Sequence, residues 1–163
     1  MAPSKISSKQ QDCLELEGFD FRLVCRLHVE TDDSGKIREF RPQSNYANAA
    51  SSRLNKYGIG PFCKFRISNE LQKAGVYIIG TNSMPLYVGE TVNLSARFNA
   101  GYGNISPKNC YVGGQETNCR INNLIFKTVG DGIELFLWFF ETPDYKSVEF
   151  DLRQSVIFPW NRV

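Results

Sequence analysis

The sequence predicts an α+β fold, with strands and helices in the C-terminal half and a β-hairpin in an N-terminal extension. Two patterns lead to this prediction. Residues 19–30 alternate apolar and polar side chains with a period of two, which is typical of a strand with one buried face. Residues 75–161 show the order strand, strand, helix, helix, strand, helix. At 163 residues the chain is long enough for one domain with an extension.

The N-terminal extension comprises residues 1–74. It is predicted to be loose or partly helical up to about residue 18, and the strand over 19–30 follows. Turn chemistry at residues 32–35 predicts that residues 36–40 return as the hairpin partner of this strand. The side chains expected on its buried face are Phe19, Phe21, Leu23, Cys25, Leu27 and Val29.

The core is predicted to comprise residues 75–163. Its last helix should begin at Thr142, a good N-cap residue, with Pro143 in the first helical position. Pro159 should end that helix. A glycine-rich loop, GYGNISPKN, is expected after the first helix. The earlier elements are strands at 75–79 and 86–89, helices at 93–100 and 116–129, and a strand at 133–141.

The composition narrows the class of protein. A hydrophobic content of 42% with 22% charged residues is ordinary for a soluble globular domain. No apolar run approaches the ~20 residues that cross a bilayer, so we expect no membrane partner. The start, MAPSKISSKQQD, lacks the apolar stretch of a signal peptide. Five cysteines without a CxxC pair favour reduced thiols, and together these features predict a cytoplasmic location.

The charges are unevenly distributed, although the net charge is only +2. Residues 53–73 carry five basic side chains against one acid, and residues 92–128 carry four against one. Residues 131–151 reverse the balance, with six acids against one base. Basic surface beside an acidic cluster suits an enzyme that holds a polyanion and positions a cation on it. A soluble protein with patchy charge explains the distribution equally well.

Tyr77, Tyr87 and Arg97 stand ten residues apart in turn, on the two central strands and the first helix. Two phenols and a guanidinium that converge on one spot suit a phosphodiester better than an apolar ligand. The alternatives are ordinary ones. The tyrosines could be core aromatics, and the arginine could extend over the edge of the core.

Glu149 is the most informative position in the last predicted helix. At about 100° per residue, it falls within the largely apolar stripe formed by Tyr145, Leu152 and Val156. An inward carboxylate is costly unless it is paired or bound to metal. Arg153 lies one turn later, so a structural ion pair is the alternative to a metal site.

The segments GVY at 75–77 and YVG at 87–89 resemble the two halves of the motif that names the GIY-YIG nuclease family. The tail FDLRQSVIFPWN resembles the closing segment of phage- and restriction-type members. The resemblance covers residues 75–161 and implies the GIY-YIG core, a small antiparallel sheet flanked by helices. It also implies a metal-dependent DNA endonuclease that hydrolyses phosphodiester bonds with one Mg²⁺ or Mn²⁺.

The resemblance further implies a role for each site residue. Glu149 would hold the metal, Asn161 would brace Glu149, and Tyr77 would activate water. Arg97 and Tyr87 would contact the scissile phosphate. The implied catalytic residues are therefore Tyr77, Tyr87, Arg97, Glu149 and Asn161.

One position departs from the family pattern. Several members carry a histidine or tyrosine one turn after the helix arginine, where this chain has Gly101. The neighbouring Tyr102, or else Lys108, is the candidate replacement.

DNA contacts are expected from cations of the extension and from polar donors around the second helix. Alternatively, the polar side chains around the second helix only cap that helix and form its solvent-exposed face. A non-catalytic nucleic-acid-binding module remains the rival to the nuclease, and restriction, phage and repair roles stay open, as does a homo-oligomer. The predicted DNA-binding residues are Lys64, Arg66, Tyr102, Lys108, Gln115, Asn118 and Arg120.

Overall fold

The computed structural model describes residues 12–162, which form a five-stranded antiparallel sheet and three α-helices. The α+β prediction is therefore confirmed, and so is the order strand, strand, helix, helix, strand, helix after residue 75. The strands are β1 (Cys13–Leu16), β2 (Phe19–Arg26), β3 (Gly75–Gly80), β4 (Pro85–Thr91) and β5 (Phe136–Glu141). The helices are α1 (Leu94–Ala96), α2 (Glu116–Gly130) and α3 (Tyr145–Ser155), and a π-helical segment (Arg97–Tyr102) continues α1.

The strands lie in the order β1-β2-β5-β3-β4, so β3 is paired on both sides. Its six residues are all buried, which accounts for an apolar run without polar alternation. Alternation along β3 sends Tyr77 and Ile79 to one face, which also receives apolar residues of α1, the π-helical segment and α2. Val76 and Ile78 point to the other face, where α3 packs. We call these the α2 face and the α3 face.

A bulge in β2 corrects the prediction for residues 19–30. The pairing with β5 shifts register between Leu23 and Cys25. Phe21 and Leu23 therefore pack on the α3 face, whereas Cys25 and Leu27 pack on the α2 face. The expectation that these odd-numbered residues share one face is wrong, because one extra residue in a strand moves the following side chains to the opposite face.

The N-terminal hairpin differs from the predicted one. Residues 13–16 form β1, where loose or helical chain was expected, while residues 1–11 lie outside the described residues. The turn from β1 to β2 has φ of 51° at Glu17 and 83° at Gly18. Two consecutive left-handed residues match the type I′ turn that hairpins favour. Residues 36–38 return beside residues 30–32 through the bridge of Thr31 to Ile37 and a hydrogen bond from the Arg38 N–H to the Glu30 carbonyl at 3.0 Å, whereas Phe40 bridges to Phe62.

The last helix begins at Tyr145, not at Thr142. The Thr142 hydroxyl accepts a hydrogen bond from the Asp144 backbone N–H at 3.1 Å, which closes a turn before the helix. The helix ends at Ser155, ahead of Pro159 as expected. Part of the predicted glycine-rich loop, residues 101 and 102, belongs to the π-helical segment instead.

The extension and the predicted core share one sheet and one hydrophobic cluster. β2 pairs directly with β5, and Leu27 and Phe65 pack in the same cluster as Tyr77 and Phe98. The extension therefore supports the α2 face on which Tyr77 lies. Within residues 12–162, none of the helices combines the length and apolar character that spanning a membrane requires.

Candidate active site

Three tyrosines and one arginine meet on the α2 face. The phenol oxygens of Tyr77 and Tyr102 lie 2.6 Å apart, and the Tyr102 hydroxyl lies 3.4 Å from that of Tyr87. Arg97 donates from Nη2 to the Tyr102 oxygen at 2.8 Å. We call Tyr77, Tyr87, Tyr102 and Arg97 the phenol cluster. The structure thus brings together the two tyrosines and the arginine that the sequence singled out.

The hairpin β3–β4 sets the positions of the first two phenols. Tyr77 pairs with Gly89, and Ile79 pairs with Tyr87. The two tyrosines are therefore diagonal neighbours on one face of adjacent strands, within reach of each other. Gly89 has no side chain, and the Tyr77 ring lies directly over it. A Cβ on Gly89 would meet the Tyr77 phenol oxygen and ring well inside 3.0 Å.

Gly89→Ala should displace the Tyr77 ring and lower the free energy of unfolding by about 1–3 kcal/mol, the usual cost of overpacking a core. Gly101→Ala is the matched control, because a Cβ there would approach no atom closer than 3.7 Å. That variant should change stability by less than about 1 kcal/mol. Urea denaturation of both variants measures the difference. Equal losses would contradict the placement of Tyr77 over Gly89.

The π-helical segment explains how Tyr102 enters the cluster. Its wider turn bonds residues five apart, and the Gly103 N–H donates to the Phe98 carbonyl at 2.7 Å. Tyr102, five residues after Arg97, therefore lies over the guanidinium, whose Cζ is 4.2 Å from the ring centre. Gly101, four residues after Arg97, has no side chain that could occupy the space beside the guanidinium.

Tyr102 was also predicted as a DNA contact, and this expectation needs correction. The residue is 0% exposed, so its ring has no free surface for a DNA strand. Its hydroxyl instead joins Arg97 to Tyr77.

Arg97 connects the buried phenols to solvent. Its Nη1 donates to Asn118 Oδ1 at 2.9 Å, and the Asn118 amide donates to Gln115 Oε1 at 3.0 Å. All three side chains line a surface pocket of about 370 Å³. Asn118 and Gln115, predicted as DNA contacts, thus lie beside Arg97, with Asn118 buried and Gln115 exposed. Arg97 is therefore only partly buried, and it lines this pocket.

Asn122 is a site residue that the sequence analysis missed. It is 0% exposed, and its amide donates to the carbonyls of Tyr102 at 2.7 Å and Cys63 at 2.8 Å. It also accepts a hydrogen bond from the Cys63 N–H at 2.9 Å. Asn122 therefore fixes the backbone at Tyr102. The available signal was a pair of asparagines, Asn118 and Asn122, spaced by four on the inward face of α2.

The phenols are electrically neutral at neutral pH. Burial raises the pKa of Tyr77, Tyr87 and Tyr102 above the ordinary value of 10, and the charge of Arg97 opposes this rise. The net direction is upward for all three, so burial outweighs the arginine. A phenolate on Tyr77 would need further positive charge nearby.

Glu149 lies at the margin of the packed face of α3, beside the buried Val148. Its side chain is 17% exposed, and Oε1 is 3.5 Å from Arg153 Nη1. Burial raises the pKa of Glu149, Arg153 opposes this, and the charge of Glu90 raises it further. The structure thus contains the inward carboxylate and also the ion pair that was its alternative.

Asn161 contacts β4, not Glu149. Its side-chain amide donates to the Val88 carbonyl and accepts from the Val88 N–H, each at 2.9 Å. Asn161 therefore pairs with the edge of β4 as a neighbouring strand would. The two side chains do line one pocket of about 550 Å³, but no hydrogen bond joins them within residues 12–162. The bracing role of Asn161 stays a prediction.

Glu149 and the phenol cluster belong to elements on opposite faces of the sheet. Within the described residues, no hydrogen bond or salt bridge joins the Glu149 side chain to a member of the cluster. The chain after α3 bridges the two sides. Trp160 bonds to Leu86 of β4 through its N–H and accepts from Arg120 of α2 through its carbonyl.

The remaining predicted DNA contacts fall into two groups. Arg66 and Lys108 are exposed, and Lys64 is half-buried with its Nζ 4.3 Å from the centre of the Phe40 ring. Arg120 is only 9% exposed, and its Nη1 donates to the Trp160 carbonyl at 2.6 Å. One nitrogen of Arg120 thus anchors the C-terminal segment, and the role of Arg120 as a DNA contact stays a prediction.

No group of three or more histidine, cysteine, aspartate or glutamate side chains that could hold a metal ion occurs within residues 12–162. Comparisons with known proteins found no matching protein-family model, no matching curated protein and no matching solved structure.

Proposed function

We propose that this protein is a metal-dependent DNA endonuclease of the GIY-YIG type, which hydrolyses phosphodiester bonds with one Mg²⁺ or Mn²⁺. The observation that supports it most strongly is the convergence of Tyr77, Tyr87 and Arg97 on one spot. A guanidinium that is held by Asn118 and Tyr102, yet lines a pocket, is suited to grip a phosphate oxygen. It would also offset negative charge that develops in the transition state.

The carboxylates of Glu149 and Glu90, near α3, are suitable ligands for a hard divalent cation. Mg²⁺ is commonly held by one or two carboxylates together with waters and substrate phosphate, so a third protein ligand is not required. Burial and the charge of Glu90 both raise the pKa of Glu149, and a bound cation would counteract both effects. β4 is the edge strand of the sheet and carries Tyr87, and the charge of Glu90 on the same strand acts on Glu149, so a phosphate at this edge could be approached from both faces. A metal bound there would act as a Lewis acid towards the leaving 3′ oxygen.

The chain's own residues have separate tasks in this proposal. Arg97 and Tyr87 hold the scissile phosphate. Tyr77 would accept a proton from the attacking water as a phenolate, after its own proton has left to solvent, and the positive charge of Arg97 would help to stabilise that phenolate. The water oxygen bonds to phosphorus while the bond to the 3′ oxygen breaks, and that oxygen takes up a proton from solvent. Tyr102 keeps Arg97 and Tyr77 in place through its hydroxyl. Asn161 fixes β4 next to Tyr87 by bonding to Val88.

A non-catalytic nucleic-acid-binding module is the second candidate. The observation in its favour is that the site residues already satisfy one another. The phenols are buried and neutral, and Glu149 has Arg153 as a partner. Such a module would hold DNA without a requirement for divalent metal.

Incubation with supercoiled plasmid separates the two candidates. With Mg²⁺ or Mn²⁺, we expect relaxed or linear plasmid, and none when EDTA is present. Mapping the ends should show 5′ phosphate and 3′ hydroxyl groups, since the proposed step breaks the bond to the 3′ oxygen. Plasmid that is bound but stays intact at every metal concentration would overturn the nuclease proposal in favour of the binding module.

The extension should contribute DNA contacts through its cations. Lys64→Gln with Arg66→Gln should weaken binding and flatten the dependence of log K on log salt by up to about two units, since each lost phosphate contact removes nearly one. The turnover rate at saturating DNA should change little, because phosphate contacts position DNA.

The control removes two exposed positive charges elsewhere, through Lys36→Gln with Lys146→Gln. Binding titrations over a range of salt concentrations compare the two double variants. If both give the wild-type slope, Lys64 and Arg66 serve the fold or a subunit contact.

A further inference from the structure

A second basic pocket, of about 370 Å³, lies between residues 56–60, α2 and the C-terminal segment, residues 158–162. Its volume is near the lower end of the range of about 300–1,000 Å³ that ligand pockets occupy, so it suits one small ligand. Its charged and aromatic lining residues are Lys56, Tyr57, Arg120, Lys127 and Trp160, without an acidic side chain. None of them belongs to the phenol cluster.

The positive charges of this pocket are not neutralised. No salt bridge within residues 12–162 involves Lys56, Arg120 or Lys127. Arg120 is only 9% exposed, and its Nε is buried without a hydrogen-bond partner in the described part of the chain. A buried cation without a counter-charge is costly, so a bound anion would stabilise this arrangement.

Two cations lie close to the ring of Tyr57 at one side of the pocket. Lys56 Nζ lies 5.5 Å and Arg162 Cζ 5.2 Å from the centre of its ring. Arg162 is itself paired with Glu116 at 2.7 Å, so Lys56 is the cation left free for a ligand on this side. The nearby Arg162 guanidinium is the main cause that lowers the pKa of Tyr57, and the charges of Lys56 and Arg120 lower it further.

Trp160 supplies an aromatic surface next to these cations. Its side chain is half-buried, and its backbone is fixed by the hydrogen bonds to Leu86 and Arg120. The indole packs against the core on the α2 face and stays partly exposed. An exposed aromatic face beside positive charge is the combination on which nucleic-acid-binding proteins stack bases while they hold the backbone. The charge of Arg120 also reaches Tyr87, so the pocket lies within electrostatic range of the phenol cluster.

We propose that this pocket binds one nucleoside phosphate unit, with the base against Trp160 and the phosphate near Lys56, Arg120 and Lys127. The unit can be a free nucleotide or part of a single strand. The site is separate from the proposed catalytic cluster, and binding there requires no cleavage.

The test uses the full chain in EDTA, where the proposed nuclease is inactive. Fluorescence anisotropy follows a labelled hexathymidylate and an abasic strand of the same length, with thymidine 5′-monophosphate and inorganic phosphate as competitors. We expect hexathymidylate to bind at least about fivefold more tightly than the abasic strand, the low end of what base stacking contributes. Thymidine 5′-monophosphate should compete better than phosphate.

Substitutions in the pocket test separately where the base and the phosphate of the ligand bind. Trp160→Leu should remove the preference for hexathymidylate, and Trp160→Phe should keep most of it, because phenylalanine retains an aromatic face. Lys56→Gln with Lys127→Gln should weaken both strands. Lys36→Gln with Lys146→Gln, the matched control, should not.

Two outcomes would overturn the proposal. The first is equal affinity of the wild type for the abasic and thymidylate strands, together with equal competition by phosphate. The second is an equal effect of the leucine and phenylalanine variants, which would mean that Trp160 only packs. If thymidine 5′-monophosphate binds as tightly as the hexamer, the ligand is a free nucleotide, whereas much tighter binding of the hexamer identifies a strand. Since no cleavage is measured, failure of the nuclease proposal would leave these results standing.

Discussion

Replacing Glu149 by alanine is expected to lower the rate of DNA cleavage by about 10³-fold or more, while DNA binding survives. The physical reason is the loss of the carboxylate on the packed margin of α3 that is proposed to hold the cation. Plasmid cleavage in Mg²⁺ and binding in EDTA measure the two effects separately. Arg153→Gln is the control, because it removes the ion pair but leaves the carboxylate in place. Cleavage near the wild-type rate by Glu149→Ala would contradict the metal-binding role.

The stability of Glu149→Gln distinguishes a functional carboxylate from a structural ion pair. Because the pKa of Glu149 is raised in the folded state, the folded protein binds its proton more readily than the unfolded chain. The ionised carboxylate therefore costs stability above its folded pKa, and this cost disappears as the pH falls below the ordinary value of 4.5.

Glu149→Gln should thus be at least as stable as the wild type at pH 7, and the two should converge at low pH. Urea denaturation at several pH values provides the measurement. A clear loss of stability at pH 7 would instead indicate that Glu149 has a structural role, through its ion pair with Arg153.

Arg97→Lys is expected to lower kcat by about 10²-fold or more at saturating DNA, which is the usual effect of removing a donor to developing negative charge. Lysine keeps the charge but lacks the planar fork. It cannot donate to Asn118 and Tyr102 from two fixed nitrogens while it also faces the pocket. Single-turnover cleavage measures the chemical step.

Arg38→Lys is the control for this substitution, since Arg38 is exposed and has no role in the proposed site. Thermal unfolding of Arg97→Lys establishes that a rate loss is not a folding defect. Full activity in Arg97→Lys would mean that position 97 provides only a general positive charge, and the proposed contact with the scissile phosphate would be wrong.

Local sequence patterns predict much of the fold. The apolar runs of β3 and β4 and the periodicity of α2 and α3 each depend on side chains within a few positions, so sequence periodicity predicts them. β1 was missed, because a four-residue segment carries little periodicity, and its strand character comes from pairing with β2. The change of face along β2 was missed as well, since a bulge is a property of the pairing with β5.

The candidate site likewise contains contacts that local sequence patterns predict and contacts that depend on the tertiary structure. Alternation along a hairpin predicts that Tyr77 and Tyr87 lie near one another, whereas the burial of Tyr102 depends on a π-helical turn that the pattern of residues 93–109 did not reveal. The sequence also did not reveal that Arg120 bonds to Trp160, 40 residues away, and that Asn161 bonds to Val88, 73 residues away.

The sequence by itself determined the α+β class, the order of the elements after residue 75, and the ten-residue spacing that sends Tyr77, Tyr87 and Arg97 towards one place. These follow from periodicity and turn chemistry, which act over a few neighbouring residues. Only the tertiary structure decided that Tyr102 joins the phenols, that Glu149 lies across the sheet from them, and that Trp160 closes a basic pocket. Those arrangements depend on strand register and on contacts between distant segments, where a shift of one residue changes which side chains meet.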